Sequence, residues 1–467
     1  MNIEDPTGYT LDAVTINGED VRGLFQNISV YESIYSPGIT GTITLLDSDS
    51  NNLVEDGNIQ FIEPFYFQFT NARDESLIFN GFLNKLKNKV AKAGRNLYEI
   101  EFVSSSIRKN EENLVFKAFK KEEPETIIEE MINLIGEKNE IVGTGEPMTF
   151  VGSGWKAARV MEYVCVNGVF DKSKSQVSVQ KDGEEPTLNG TTGFLCFETL
   201  DGFRFVAIDQ ILTAKCFQKH EDYVFELANR SYPLEKATKI IMDYHIDYMG
   251  DFFQKQRSGA DAHTHVSFDM DKGEWVEFEW DSWEQVNKTI TEEQFKLSRM
   301  YIGSEDYINV RPTRVITSII NNERANDKSK CDKEDDDSID QQRKTLSQNI
   351  VRENTFQDVS ATFTLAPQFV IRAGDTISVK IQKVTSEDSK DRQPNKRHSG
   401  EYIIRQVGHH INADGHAYTK LNTLRSTVFD TDPLENQDIN TDPIQTQLIV
   451  NNNMNTVNRG NDILFEL

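Results

Sequence analysis

Between residues 11 and 119 the hydrophobic pattern has a period of two. In "GTITLLD" Ile43 and Leu45 alternate with Thr42 and Thr44, so a strand there carries one apolar and one polar face. The runs "LDAVTING", "ISVYESI", "EPFYFQFT", "SLIFNGFLNKLKN" and "NLYEIEFVSS" are similarly rich in β-branched or aromatic residues and are separated by turn-forming ones. This predicts an all-β domain over residues 1–119.

The period lengthens at "EEPETIIEEMINLIG". Pro124 suits a first helical turn, Ile128, Met131, Ile132 and Ile135 recur at helical spacing, and Gly136 is placed to end the helix. A second helix is expected in "SGWKAARVMEYV", with Ser153 as its cap and Ala157, Val160, Met161 and Val164 as its apolar stripe. Two aromatic runs, "FLCFET" and "FRFVAI", flank Leu200-Asp201-Gly202, where Asp-Gly signals a hairpin. Residues 120–230 thus read as a mixed α/β domain. The β pattern returns over 231–285 and 350–430, interrupted by a charged, helical or looped insertion at 286–349 that contains "CDKEDDDSID", residues 331–340. Residues 431–467 are Asn-rich and poor in aromatics, the pattern of an extended arm.

Two distant segments share a layout. "NGFLNKLKNKVAKAGRNLYEIEF", residues 80–102, and "SGEYIIRQVGHHINADGHAYTKLNTL", residues 399–424, each run glycine, strand, turn glycine, tyrosine-bearing strand. The glycine spacings differ, Gly81 to Gly94 against Gly400 to Gly415, so the loops differ while the hairpin plan persists. One β module encoded twice is the inference. Chance likeness between hairpins is the alternative.

Composition narrows the functions. Lys and Arg total 50 against 75 Asp and Glu, a net charge of −25, which disfavours wrapping duplex phosphates. Apolar residues at 37% and aromatics at 10% suffice to fill cores, so the acidity is not that of a disordered chain. Cys165, Cys196, Cys216 and Cys331 lie far apart without a C-x-x-C pair, arguing for reduced thiols rather than a disulfide framework or zinc knuckle. No apolar stretch approaches the roughly 20 residues of a membrane span, and the acidic start lacks the features of a signal peptide.

Candidate chemistry is thin. Asp47-Ser-Asp49-Ser-Asn51 opens like a calcium loop, yet the sixth and twelfth positions are Asn52 and Asn58 rather than Gly and Glu, so a turn is expected. His263 and His265 would share one strand face, and hydrogen-bonded histidines are expected there rather than a metal; neighbouring His409 and His410 would face opposite ways. There is no G-x-S-x-G and no phosphate-cradling G-x-x-x-x-G-K. Glu129-Glu130 and Glu198 with Asp201 are the carboxylates that a hydrolase reading would nominate, and nothing in the sequence singles them out. No catalytic, cofactor-binding or metal-binding residue is assigned. Lys85, Lys87 and Lys89 alternate in "NKLKNK", so on a regular strand they would line one face, as a solvated guard against edge pairing or as a docking stripe for an acidic neighbour.

Taken in succession, "YESIYSPGITGTITLLDSDSNNLVEDGNIQF", "GFLCFETLDGFRFVAIDQIL" and "AGDTISVKI…HSGEYIIRQVGHHINADGHAYTKLNTLRST" resemble the baseplate hub proteins of contractile-tailed bacteriophages, over most of residues 10–428. The resemblance implies a mainly β fold with α+β character: two tail-tube-like β-barrel domains, the second interrupted, and a mixed α/β domain between them. It implies a non-enzymatic homotrimer in the tail baseplate of the virion, assembled in the host cytoplasm. Its expected partners are the central spike, the tail tube or a tube-initiator protein, and baseplate wedge and tape-measure proteins. DNA would pass through its lumen without specific binding. Three copies of a duplicated module would meet a hexameric tube as a pseudo-sixfold ring. The hub of another contractile injection machine and, from a different class, a tail-borne cell-wall hydrolase are the alternatives.

Overall fold

Two sets of six strands follow the chain in the same order and pair in the same order. The computed structural model describes residues 5–48, 59–92, 95–136, 139–170, 193–212, 217–225, 232–248, 257–259, 262–269, 273–281, 301–302, 305–306, 314–320, 347, 359–382, 395 and 398–425. The first set comprises β1 (Tyr9–Ile16), with the short β2 (Glu19–Asp20) folded onto its end, β3 (Phe25–Ser33), β4 (Thr40–Ser48), β5 (Pro64–Asn71), β6 (Ser76–Lys92) and β7 (Arg95–Ser104). These pair in the order β1-β5-β6-β7-β4-β3.

A central unit follows α1 (Ser105–Glu112). It contains β8 (Val115–Glu122), α2 (Pro124–Ile135), β9 (Asn139–Ile141), β10 (Met148–Trp155), α3 (Ala157–Asn167), β11 (Phe194–Thr199), β12 (Gly202–Ala207) and α4 (Ile208–Leu212). The second set begins with β13 (Lys219–Phe225), α5 (Leu234–Ala237) and β14 (Ile241–Tyr248). Next come β15 (Ala262–Asp269), β16 (Glu274–Asp281), β17 (Tyr301–Ile302), β18 (Glu305–Asp306) and β19 (Val315–Ile320), of which β16-β15-β19 form a sheet of their own. The set resumes with β20 (Val359–Leu365), β21 (Thr376–Ile381), β22 (Gly400–Asn412) and β23 (Ala417–Arg425). Its pairing order is β13-β21-β22-β23-β20-β14, the first order repeated strand for strand. One orientation differs: β1 runs antiparallel to β5, whereas β13 runs parallel to β21.

The irregularities repeat as well. Against β7, β6 skips a residue between Leu83 and Lys85; against β23, β22 skips one between Ile404 and Gln406. Against β4, β3 shifts between Phe25 and Asn27; against β20, β14 shifts between Ile241 and Asp243. Bulges are built-in features that re-aim a strand, so two coincidences of this kind align the modules residue by residue. In that alignment Thr40-Gly-Thr-Ile-Thr-Leu45 falls on Ser360-Ala-Thr-Phe-Thr-Leu365.

Each module wraps its own core. In the first, Phe65, Phe67 and Phe69 project inward from alternate positions of β5, and Phe65 and Phe79 each lie 4.9 Å from the Phe102 ring. Gly41 leaves room for this packing: a Cβ there would sit 2.2 Å from Phe102 Cζ and 2.4 Å from the Ser29 carbonyl oxygen. The second module packs Phe363, Ile377, Val379, Tyr402, Ile404 and Leu421, and a bridge from Val224 to Ile240 brings β13 to β14. The protein is therefore mainly β, with two barrel modules, the second interrupted, and a mixed α/β unit between them.

The central unit forms much as its pattern predicts. Pro124 starts α2, and the Gly136 amide donates to Ile132 O at 2.6 Å at its end. Leu200-Asp201 turns β11 into β12, with Gly202 at φ 132. Ser153 does not cap α3. It pairs with Phe116 inside β10, and Lys156 stands at the N-cap without a side-chain capping bond. Helix α1 was not expected, since its polar sequence lacks an apolar stripe. The expected arm at 431–467 and the acidic run 331–340 lie outside the described residues, as does most of the 286–349 insertion.

Candidate assembly interface

The two modules share one sheet. Residues 406–412 of β22 pair antiparallel with residues 33–27 of β3, from Gln406 opposite Ser33 to Asn412 opposite Asn27. The seam is uncharged along most of its length. His410 Nδ1 is hydrogen-bonded to Ser29 Oγ at 2.8 Å and its ring meets Tyr31 edge-on. On the opposite face His409, Ile411, Ile28 and Val30 are buried. Burial holds the pKa values of His409 and His410 below that of free imidazole, with nearby Arg372 adding to the effect at His409 and Lys420 at His410. His409 Nδ1 bonds Thr419 Oγ1 at 3.0 Å, while its Nε2 has no partner among the described residues.

A loop entering β21, residues 366–375, locks all three units together. Asn71 Nδ2 donates to Pro367 O at 2.9 Å from the first module, and Tyr223 OH donates to Gln368 Oε1 at 3.0 Å from the second. Arg372 grips both Asp201 carboxylate oxygens, at 2.9 and 3.1 Å. The Ala373 amide donates to Glu32 Oε2 at 3.1 Å, and the Leu200 amide donates to Glu32 Oε1 at the same distance. Asp375 accepts from Arg204 Nη1 at 2.8 Å and lies 2.9 Å from His220 Nε2. Burial pushes the Glu32 carboxyl up, partly countered by Arg372. Burial also works against the Arg372 charge, but Glu32 and Asp201 outweigh it and raise the guanidinium pKa. An ion network of this depth tolerates no missing partner.

The residues singled out by sequence are dispersed. Glu198 Oε2 accepts from Ser104 Oγ and Ser106 Oγ, both at 2.5 Å, and from the Ile39 amide at 3.2 Å; burial raises its pKa against those bonds. Asp201 instead serves Arg372, so these two carboxylates are committed to different structural contacts. Glu130 bonds Lys117 at 2.5 Å on the surface. His263 and His265 share a face of β15 and are both buried. His263 meets Gly259 O at 2.7 Å and Ser347 Oγ at 2.8 Å, and His265 meets Ser318 Oγ at 2.7 Å. Among the described residues no group of three or more His, Cys, Asp or Glu side chains is arranged to hold a metal. Of the early Asp-Ser loop only Asp47 and Ser48 are described.

The lysines do not share one face. Lys85 lies opposite Glu101 and Lys87 reaches Glu99, at 3.4 and 3.8 Å. A second bulge at Lys87, between Leu86 and Asn88, then turns Lys89 onto the Tyr98 side of the strand, 5.8 Å from that ring's centroid. Strand β5 stops at Pro64 opposite Phe82, so among the described residues no strand pairs with 84–91 of β6 on the side away from β7. The matching situation holds for β14, which pairs with β20 on one side and, among the described residues, with no strand along 241–248 on the other.

Sequence reasoning missed the lock and both open edges. Glu32 carried a signal: Ile28, Val30, Glu32 and Ile34 occupy one face, and a carboxylate in an apolar row needs a buried partner.

No protein-family model matches the sequence, and no curated protein matches it by sequence. Solved structures of similar layout include the 43 kDa tail protein of prophage MuSo2 from Shewanella oneidensis, at 9% identity and a TM-score of 0.49 over 90% of this chain and 99% of that one. The tail protein from Neisseria meningitidis is similar over 90% and 98%, at 7% identity and a TM-score of 0.49. An E. coli component of the type VI secretion system is similar over 90% and 78%, at 7% identity and a TM-score of 0.41. No helix among the described residues is long and apolar enough to cross a membrane.

Proposed function

We propose that this chain is the central hub of a contractile tail: a homotrimer whose six β modules circle one axis and join a hexameric tail tube to a trimeric central spike. The observation that carries this reading is the duplication. Identical pairing orders and coincident bulges make the modules near-equivalent, and one continuous sheet already fixes two of them side by side. Such a chain is suited to adapting threefold to sixfold symmetry. In this reading the genome passes through the lumen, the spike and the tube or its initiator are the axial partners, and the protein is structural rather than enzymatic.

The test is a reconstruction of the assembled tail. Threefold density with two superimposable modules per chain is expected between tube and spike; one module per chain, or a peripheral position, would refute the proposal. A zymogram against peptidoglycan addresses the hydrolase alternative, and clearing that vanishes when one carboxylate is neutralised would replace the structural reading. Capsid and portal genes beside this one would favour a phage over another injection machine.

A further inference from the structure

We propose that residues 84–91 of β6 add, antiparallel, to the open edge of β14 in a second copy of this chain, with residues 88–91 in the register of the internal seam. The partner and its register rest on the duplication alone; the number of copies in the closed ring rests on the trimer reading above.

The equivalences come from backbone pairing. Opposite β7, Asn88, Lys89, Val90 and Ala91 occupy the places that Gly408, His409, His410 and Ile411 occupy opposite β23. Opposite β20, Tyr244, His245, Ile246 and Asp247 occupy the places that Ile28, Ser29, Val30 and Tyr31 occupy opposite β4. In the seam His410 faces Ser29 and Gly408 faces Tyr31. Transferring that register sets Val90 opposite His245, Asn88 opposite Asp247, Lys89 opposite Ile246 and Ala91 opposite Tyr244. The occupied strands thus act as a template for the two edges that have no partner strand among the described residues.

Charge complementarity favours the same occupant. Residues 84–91 contain three lysines and no acid, and residues 241–247 contain two aspartates and no lysine or arginine. The seam strands lack this pairing of opposite charges, since Gln406 to Ile411 hold no charged residue and Ile28 to Ser33 hold only the buried Glu32. Each open edge therefore repels its own kind and attracts the other, which blocks indiscriminate edge-to-edge pairing and selects head-to-tail contact. Val90 is 47% exposed and Met242 44% exposed at these edges. Head-to-tail contacts close into rings when the rotation allows and form filaments when it does not.

The experiment is oxidative crosslinking of the full-length Val90→Cys/His245→Cys variant, read on a non-reducing gel beside its size in solution. The expected result is a disulfide ladder ending at three copies. It should be absent from either single variant and from Val90→Cys/Ile246→Cys, whose side chains would leave opposite faces of the added strand. A trimer in solution without the Val90–His245 crosslink overturns the edge pairing and spares the hub reading. A ladder continuing past three copies supports the pairing and overturns the threefold count. A folded chain that stays monomeric at every concentration overturns both.

Discussion

Arg204, on β12 of the central unit, lies 2.8 Å from Asp375 in the loop just before β21, and neither side chain is more than 9% exposed. The bond joins elements 171 residues apart, with Arg204 also donating to Ala373 O and lying over the Phe217 ring. Removing one partner strands a buried charge. Arg204→Leu is therefore expected to destabilise the protein by about 3 kcal/mol or more, measured by urea unfolding. Adding Asp375→Asn should recover part of that loss. If the single variant loses no stability, the lock is not what holds the three units together.

Gly41 should resist even a methyl group. Because its Cβ would meet Phe102 and the Ser29 carbonyl, Gly41→Ala is expected to cost about 1–3 kcal/mol through overpacking. The equivalent alanine in the second module provides a contrast, since Ala361→Gly deletes only a methyl, worth about 0.8 kcal/mol. Equal effects at both positions would show that the first core relaxes freely.

Acid should loosen the seam through His409. Its folded-state pKa is depressed mainly by burial, so the unfolded chain takes up a proton near pH 6.5 before the folded one does. Stability from this group is complete above that pH and falls as pH drops through it. Glu32 and Glu198 act in the opposite sense, because carboxyls with raised folded pKa values contribute more below their unfolded pKa and lose that contribution as pH rises. Comparing wild type with His409→Gln isolates the histidine: the variant should lose up to about 1.4 kcal/mol less per pH unit between 6.5 and 5.5. Parallel unfolding profiles would show that His409 is not the responding group.

The surface lysines should matter little to folding. Lys85 and Lys87 make exposed pairs with Glu101 and Glu99, so replacing both with Gln is expected to change stability by no more than about 1 kcal/mol. Lys85→Glu/Lys87→Glu should instead weaken self-association at least tenfold, measured by sedimentation, as the β6 edge loses its attraction to Asp247. Association unchanged by charge reversal would separate these lysines from assembly.

Much of the architecture was legible because it depends on local periodicity. Helix α2 and the Asp201-Gly202 hairpin form where pattern and turn chemistry place them, and the glycine-marked echo falls on β6–β7 and β22–β23. The stronger echo, at Thr40–Leu45 and Ser360–Leu365, was hidden because six residues mean little until pairing aligns them. Bulges escaped notice for the same reason. A register shift leaves no residue-type mark, yet the one at Lys87 decides which way Lys89 points. The lock was hardest to read, since Glu32, Asp201, Arg204, Arg372 and Asp375 meet only after three units have docked.

The modules repeat one plan but carry connections of unequal length between their second and third strands. Residues 34–39 link β3 to β4, whereas residues 249–358 occupy the corresponding place between β14 and β20. Any circle built from these modules would display that appendage at every other station. A neighbour docking there would find half as many landing sites as there are modules, so the unequal connections would impose a count that the paired strands alone would not.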